Sequence, residues 1–360
     1  MNFANTYRPK AFNDVIGQEN VITILKNQVK TGEYKNCYLL VGSAGTGKTT
    51  TARIFGNIIN GNKGKIIELD AASHSGVDSI REISEQCKFK PIDSKYKVYI
   101  IDEVHMLSTS AWNGFLKTLE EPPAHCIFIL CTTEVKKIPV TILSRCQRFD
   151  FKRVSVEKIV GRLKYIIEEE NATTICEVDE HCCGSAPEDV GVELIKATDE
   201  ALQYIARISN GGVRSAISLL DTCVSYGDVD MENIQKVLGL AGSEVMVELL
   251  GAISLNDRST IIKSIETVYN NGKDLKTFIP ELLEFIVDIL KYQITKDTTL
   301  TKLTEKDIKR IDKINMDLTS LFDELNKFYF SVKYEANIKP LLEGVILNYV
   351  HRTIQTTISN

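Results

Sequence analysis

Over the first 153 residues, short continuous apolar runs alternate with stretches of helical period. The runs Tyr38 to Val41, Lys65 to Leu69, Val98 to Ile101 and Ile127 to Cys131 read as strands. Short apolar runs of this kind mark strands covered on both faces, as in a parallel sheet. With helical patterns between them, residues 1–153 are expected to form an α/β domain, a parallel sheet with helices on both faces. Residues 154–238 carry helical patterns and are expected to form a small helical domain. An acidic stretch at 168–200 interrupts it, where Gly184, Ser185 and Pro187 argue against one continuous helix. Residues 239–360 are expected to be all-helical. Ile261, Ile262, Ile265, Val268 and Tyr269 recur at helical spacing, as do Ile311, Ile314, Leu318, Leu321, Phe322, Leu325 and Phe328.

Composition narrows the class. A chain of 360 residues, 43% hydrophobic and 25% charged, has the balance of a globular protein of two or three domains. No apolar run reaches the ~18 residues of a membrane span. The start MNFANTYRPK lacks the apolar core of a signal peptide, so a cytoplasmic protein with no membrane partner is expected. The net charge of −5 conceals an asymmetry. Residues 1–155 hold 21 Lys and Arg against 15 Asp and Glu, while residues 168–200 hold 11 acids against one Lys. A basic N-terminal region can meet nucleic acid despite the acidic total, although a mixed solvated surface has the same charges. The nine cysteines follow no paired framework. Cys37, Cys126 and Cys131 lie in apolar strand-like runs, where buried thiols are expected.

Candidate chemistry sharpens the picture. Gly42-Ser43-Ala44-Gly45-Thr46-Gly47-Lys48-Thr49 matches G-x-x-x-x-G-K-[ST] in full, between the apolar run CYLLV and a helical stretch that opens with Thr50. Glycines let backbone N–H groups curl around phosphates, and the helix N-terminus adds positive potential. Lys48 is then expected to reach the β- and γ-phosphates of ATP and Thr49 to ligate Mg²⁺. The run Lys97 to Ile101 delivers Asp102 and Glu103 at a strand's C-terminal end, where ligands bind in open α/β sheets. Asp102 suits Mg²⁺, and Glu103 suits orienting or deprotonating an attacking water. Leu143-Ser144-Arg145-Cys146 taken alone offers only a solvated arginine. Gly211-Gly212-Val213-Arg214 taken alone offers only a turn into an apolar helix.

Together these pieces resemble the AAA+ ATPases, and more closely the gamma/tau family of bacterial DNA polymerase III subunits. The resemblance rests on TYRPKAFNDVIGQENV, GSAGTGKTTTARIF, ELDAASHSGVDSIREI, KVYIIDEVHMLS, FLKTLEEPPAH and CTTEVKKIPVTILSRCQRF, and more weakly on NGGVRSAISLLD. It implies an ATPase that loads a sliding clamp onto primed DNA. It implies an AAA+ domain at 1–153, a lid at 154–238 and an oligomerising collar at 239–360. The partners implied are other clamp-loader subunits in a pentamer-like ring, the sliding clamp and the DNA backbone. Arg145 becomes an arginine finger for the neighbouring subunit, Thr133 a sensor near the γ-phosphate, and Arg214 a second sensor on the lid. Tyr7, Arg8, Val15 and Ile16 would frame the adenine and ribose, and Thr50 joins the nucleotide contacts. Ser75, Gly76 and Arg81 would meet DNA phosphate at a helix N-terminus, or simply belong to a capped surface helix.

The chain departs from that family in three places. NGNKGK spans the position of the family's usual four-cysteine zinc module, so that zinc site is not expected. The acidic insertion carries Cys176, His181, Cys182 and Cys183, whose spacing suits tetrahedral zinc poorly. Ser215 also stands where the family usually has an acid. With the chain ending at Asn360, a gamma-like extent is expected, without the long tail that the tau form of the family carries. The alternatives are a replication factor C small subunit, another AAA+ DNA motor such as a branch-migration ATPase, or a non-hydrolysing structural subunit of the ring. This last should lack the P-loop lysine or the strand-end acids, all of which are present.

Overall fold

Seven consecutive buried residues, Cys126–Thr132, form β4 at the centre of a five-stranded sheet. Its neighbours are β1 (Cys37–Gly42), β2 (Ile67–Asp70), β3 (Lys97–Asp102) and β5 (Gln147–Phe151), in the order β2-β3-β4-β1-β5. Every pairing is parallel. The computed structural model describes residues 2–62, 66–181, 194–238, 243–270, 273–301, 303, 305–314, 316–332, 335 and 337–359, without the side chains of 176–181, 235, 243, 299, 305, 354 and 356–359. The chain divides into two units, Met1–Val229 and Asp230–Asn360.

In the first unit, successive strand residues point to opposite faces and so feed two cores. Tyr38, Leu40, Val98, Ile100, Ile127 and Ile129 pack with residues of α2 (Glu19–Thr31) and α3 (Lys48–Ile59). Leu39, Val41, Tyr99, Ile101, Phe128 and Leu130 pack with α4 (Val77–Gln86) and α5 (Thr109–Glu120). Coverage on both faces is why these strands read as unbroken apolar runs. Two short helices, α1 (Phe3–Thr6) and α6 (Val140–Leu143), accompany the sheet, and α7 (Val156–His181), α8 (Asp199–Ile208) and α9 (Val213–Tyr226) complete the unit.

The acidic stretch begins inside α7, which continues to His181, and residues 194–198 are non-helical before α8, while Gly184, Ser185 and Pro187 lie outside the described residues. Asn171 on α7 holds the returning chain, donating to Ile195 O (3.0 Å) and accepting from Ile195 N (2.8 Å). Cys182, Cys183 and the side chains of Cys176 and His181 lie outside the described residues. One expectation needs correction here. Cys37 is not a free thiol but is paired with Cys146, their Cα atoms 4.7 Å apart, within the disulfide range. The sheet explains the pairing. Tyr38 registers with Gln147, so the residues preceding them abut. Cys126 and Cys131 are free and buried.

The second unit is helical: α10 (Met231–Val237), α11 (Ser243–Ser254), α12 (Arg258–Asn270), α13 (Leu275–Thr295), α14 (Glu305–Ile311), α15 (Leu318–Ser331) and α16 (Lys339–Ser359). Its core includes Leu249, Ile261, Ile265, Phe278, Leu282, Leu321, Leu325, Leu342 and Ile346. The apolar run from Ile311 to Phe328 spans two helices, since Ile311 closes α14 and Asp317 caps α15. Among the described residues, no helix is long and apolar enough to cross a membrane.

Candidate functional site

β1 ends at Gly42 because nothing larger fits: a Cβ there would lie 2.6 Å from the carbonyl oxygen of Phe151 on β5. The loop that follows turns through Gly45 (φ 73°) and Gly47 (φ 96°), left-handed conformations natural to glycine, and α3 begins at Lys48. Lys48 is 5% exposed, and its Nζ donates to the carbonyls of Gly42 (2.8 Å) and Ser43 (2.9 Å). Burial lowers its ammonium pKa, and the nearby Glu103, Cys131 and Asp102 oppose that shift. Thr49 Oγ1 donates to Asp102 Oδ2 at 2.7 Å, so the two expected Mg²⁺ ligands already touch. Buried Gln18 braces the loop from behind. Its Nε2 donates to Lys152 O (2.7 Å) and Thr46 O (3.4 Å), and its Oε1 accepts from Lys152 N (3.1 Å).

Asp102 closes β3, and the next residue, Glu103, adopts a left-handed backbone (φ 44°, ψ 43°). For a non-glycine residue this costs roughly 1–2 kcal/mol and persists only where neighbours enforce it. Thr133, just beyond β4, supplies such contacts: its N–H (3.3 Å) and hydroxyl (3.2 Å) both donate to Glu103 Oε2. The sheet order makes this meeting inevitable, because β3 and β4 are adjacent and parallel.

Beside the loop, Tyr7, Arg8, Val15, Ile16, Gly45, Thr46, Gly47, Thr50 and Arg214 line one cavity, together with Arg162 of α7. Arg214 enters it at the start of α9, its N–H pointing to Gly45 O at 3.4 Å. The Arg8 guanidinium pKa is lowered, by burial first and then by the charges of Arg53 and Arg214. Converging cations with an apolar wall suit a polyphosphate attached to an aromatic base. Arg162 Nη2 donates to Tyr7 O at 2.7 Å, and burial together with a hydrogen bond to Glu170 raises the Tyr7 phenol pKa.

Other expected site residues lie elsewhere. Arg145 does not line the cavity. Its guanidinium donates to Thr141 O (2.5 Å) and Glu120 Oε1 (2.9 Å). Ser75 and Gly76 are exposed immediately before α4, and exposed Arg81 pairs with Asp78 at 3.3 Å. Gln18, His105 and Arg162 escaped sequence reasoning. His105, a polar side chain between Val104 and Met106 in DEVHMLS, was a usable signal, whereas Gln18 follows Gly17 and precedes Glu19 and Asn20 in VIGQENV and gave none. Arg162 reaches Tyr7 across 155 residues, which no local pattern reveals.

A parallel sheet in this order, with a complete P-loop after β1 and an Asp-Glu pair after β3, has the AAA+ fold. The chain matches the family model described as DNA polymerase III subunits gamma and tau domain III over residues 229–351. It matches that described as DNA polymerase III, delta subunit, over residues 62–155. It is 33% identical to DNA polymerase III subunit gamma of Buchnera aphidicola subsp. Acyrthosiphon pisum, over 86% of this chain and 86% of that one. It is 34% identical to DNA polymerase III subunit tau of Bacillus subtilis, over 97% of this chain and 63% of that one. The chain therefore belongs to the DNA polymerase III gamma/tau family. It spans 63% of the length of the Bacillus subtilis relative and 42% of that from Haemophilus influenzae. Among solved structures, Thermotoga maritima RuvB, a Holliday junction branch migration motor, aligns with a TM-score of 0.48 at 21% identity, covering 69% of this chain and 79% of that one.

Proposed function

We propose that this chain is an ATP-hydrolysing subunit of a clamp loader, which opens a sliding clamp and loads it onto primed DNA. The observation that carries the hydrolysis reading is the contact between Thr49 and Asp102 beside buried Lys48, next to Gly45, Thr46, Gly47 and Thr50, which line a cavity holding Arg8, Arg162 and Arg214. Lys48 would leave the Gly42 and Ser43 carbonyls for the β- and γ-phosphates, which the loop from Gly42 to Thr49 surrounds with N–H groups. Thr49 and Asp102 would hold Mg²⁺, whose charge offsets that of the phosphate oxygens. Tyr7, Arg8, Val15 and Ile16 would frame the base and ribose. Glu103 would orient or deprotonate the water that attacks the γ-phosphorus, releasing ADP and inorganic phosphate.

The remaining residues have roles in an assembly. Arg145 would serve the nucleotide of the adjacent subunit, in keeping with its place outside its own cavity. Thr133 and Arg214 would sense the γ-phosphate from the sheet and from the lid. Ser75, Gly76 and Arg81 would meet DNA phosphates at the start of α4. This proposal includes the division into a nucleotide-binding domain (1–153), a lid (154–238) and a collar (239–360).

The first test is Lys48→Ala. The variant should remain folded by circular dichroism yet lose ATP turnover by roughly 100-fold or more, as expected when the charge on the transferring phosphoryl group is removed. Undiminished turnover in the folded variant contradicts the hydrolysis reading.

A further inference from the structure

The residues after Glu103 do more than link β3 to α5. Val104–Met106 form one 3₁₀ turn, and the left-handed conformation of Glu103 begins it. That turn folds His105 back over the ends of β3 and β4. The imidazole is 7% exposed, and its named polar neighbours all lie at those strand ends. Nδ1 lies 3.2 Å from Thr132 Oγ1 and 3.2 Å from Glu103 Oε2. Nε2 lies 3.4 Å from Glu134 Oε1. Thr132 Oγ1 in turn accepts from Glu134 N at 3.0 Å, which fixes the far side of the ring.

These contacts are one-sided at Glu103. Both Thr133 groups and the imidazole converge on Oε2. Oε1 has no hydrogen-bond partner among the described residues. A carboxylate held by one oxygen presents the other in a fixed direction, which is what a group that aligns a water requires.

We propose that His105 is a positioning residue for Glu103. With the proton on Nδ1, it ties the carboxylate to the end of β4, so that the direction of Oε1 is set by the strand pair and not by free rotation of the side chain. The proposal rests on the hydrolysis reading above, with Glu103 as the residue that acts on water.

The test compares His105→Ala, His105→Asn and His105→Gln in the full chain with Mg²⁺ and ATP. Asparagine keeps a polar atom near the position of Nδ1, facing Thr132 and Glu103. Glutamine keeps one nearer that of Nε2, facing Glu134. His105→Ala should lower kcat on the order of 10- to 100-fold, with KM within about twofold of wild type. His105→Asn should recover more of kcat than His105→Gln. An Ala variant with wild-type kcat, a loss carried by KM, or a glutamine variant that outperforms asparagine overturns the proposal. The Asn–Gln contrast decides the matter even where the Ala variant does not fold. A second readout is independent of turnover. Ring ¹⁵N signals of the five histidines in nucleotide-free protein should show the His105 resonances, identified by their loss in His105→Asn, moving in Glu103→Gln. An unmoved His105 signal overturns the contact. Wild-type turnover that persists in Lys48→Ala sinks the hydrolysis reading itself, whereas Lys48-dependent turnover with unaffected His105 variants sinks only this inference.

Discussion

Gln18 shows how one side chain can hold a phosphate loop in place. Its amide satisfies both backbone groups of Lys152 and reaches Thr46 O, linking the loop after β1 to the end of β5. At 3% exposure, nothing else stands ready to replace those bonds. Gln18→Ala should therefore cost roughly 2–3 kcal/mol, the penalty of leaving buried donors and acceptors unpaired. Urea denaturation measures it, and a loss below about 0.5 kcal/mol contradicts the bracing role. The P-loop residues and the strand-end acids are legible in the sequence because the chemistry proposed for them demands fixed types at fixed spacing, and the structure brings Thr49 to Asp102. Gln18 and His105 were not recovered because their partners, Lys152 and Glu134, follow the distant strands β5 and β4.

Among the elements, legibility follows the length of the apolar run. β1, β3 and β4 are covered on both faces and read as unbroken apolar runs. β5, by contrast, is an edge strand with the sequence Gln147–Phe151, buried only at Phe149 and Phe151. Its two apolar residues are too few to show a period, so the sequence reading passed over it. The break between α14 and α15 was hidden for another reason. The apolar spacing continues across it, and only Asp317 marks the new start. Asp317 Oδ1 accepts from Thr319 N (3.0 Å) and Ser320 N (3.1 Å), and Oδ2 accepts from Ser320 Oγ (2.5 Å). Asp317→Ala should destabilise the second unit by about 1 kcal/mol, as loss of a helix cap does. The hydrogen bond from the Ser320 side chain, followed by that from its backbone, lowers the Asp317 pKa below the usual 3.8. A depressed carboxyl contributes stability that is complete above the unfolded value and is lost as pH falls through the folded one. The gap between wild type and Asp317→Ala should thus be constant from pH 7 to about 5 and narrow on acidification below the unfolded value. A gap independent of pH down to 2 argues against the ionised cap.

For the whole molecule, the central proposal is a motor completed by its neighbour. Within the chain, Arg145 sits apart from its own nucleotide cavity and is held at Glu120 and Thr141. The pairing with Glu120 is largely exposed, worth at most about 1 kcal/mol, so it can be exchanged for a phosphate on an adjoining subunit. An arginine supplied in trans contributes most in the transition state and typically changes phosphoryl-transfer rates by ~10³–10⁵. The most direct measurement is ATP turnover by the assembled ring with sliding clamp and primed DNA, comparing wild type with Arg145→Ala. The variant should bind ATP as wild type does, yet lose most of the clamp- and DNA-stimulated turnover. Mixing it with Lys48→Ala subunits should restore part of the rate, because their Arg145 serves the intact site next door. Full stimulated turnover by a ring of Arg145→Ala subunits contradicts the account.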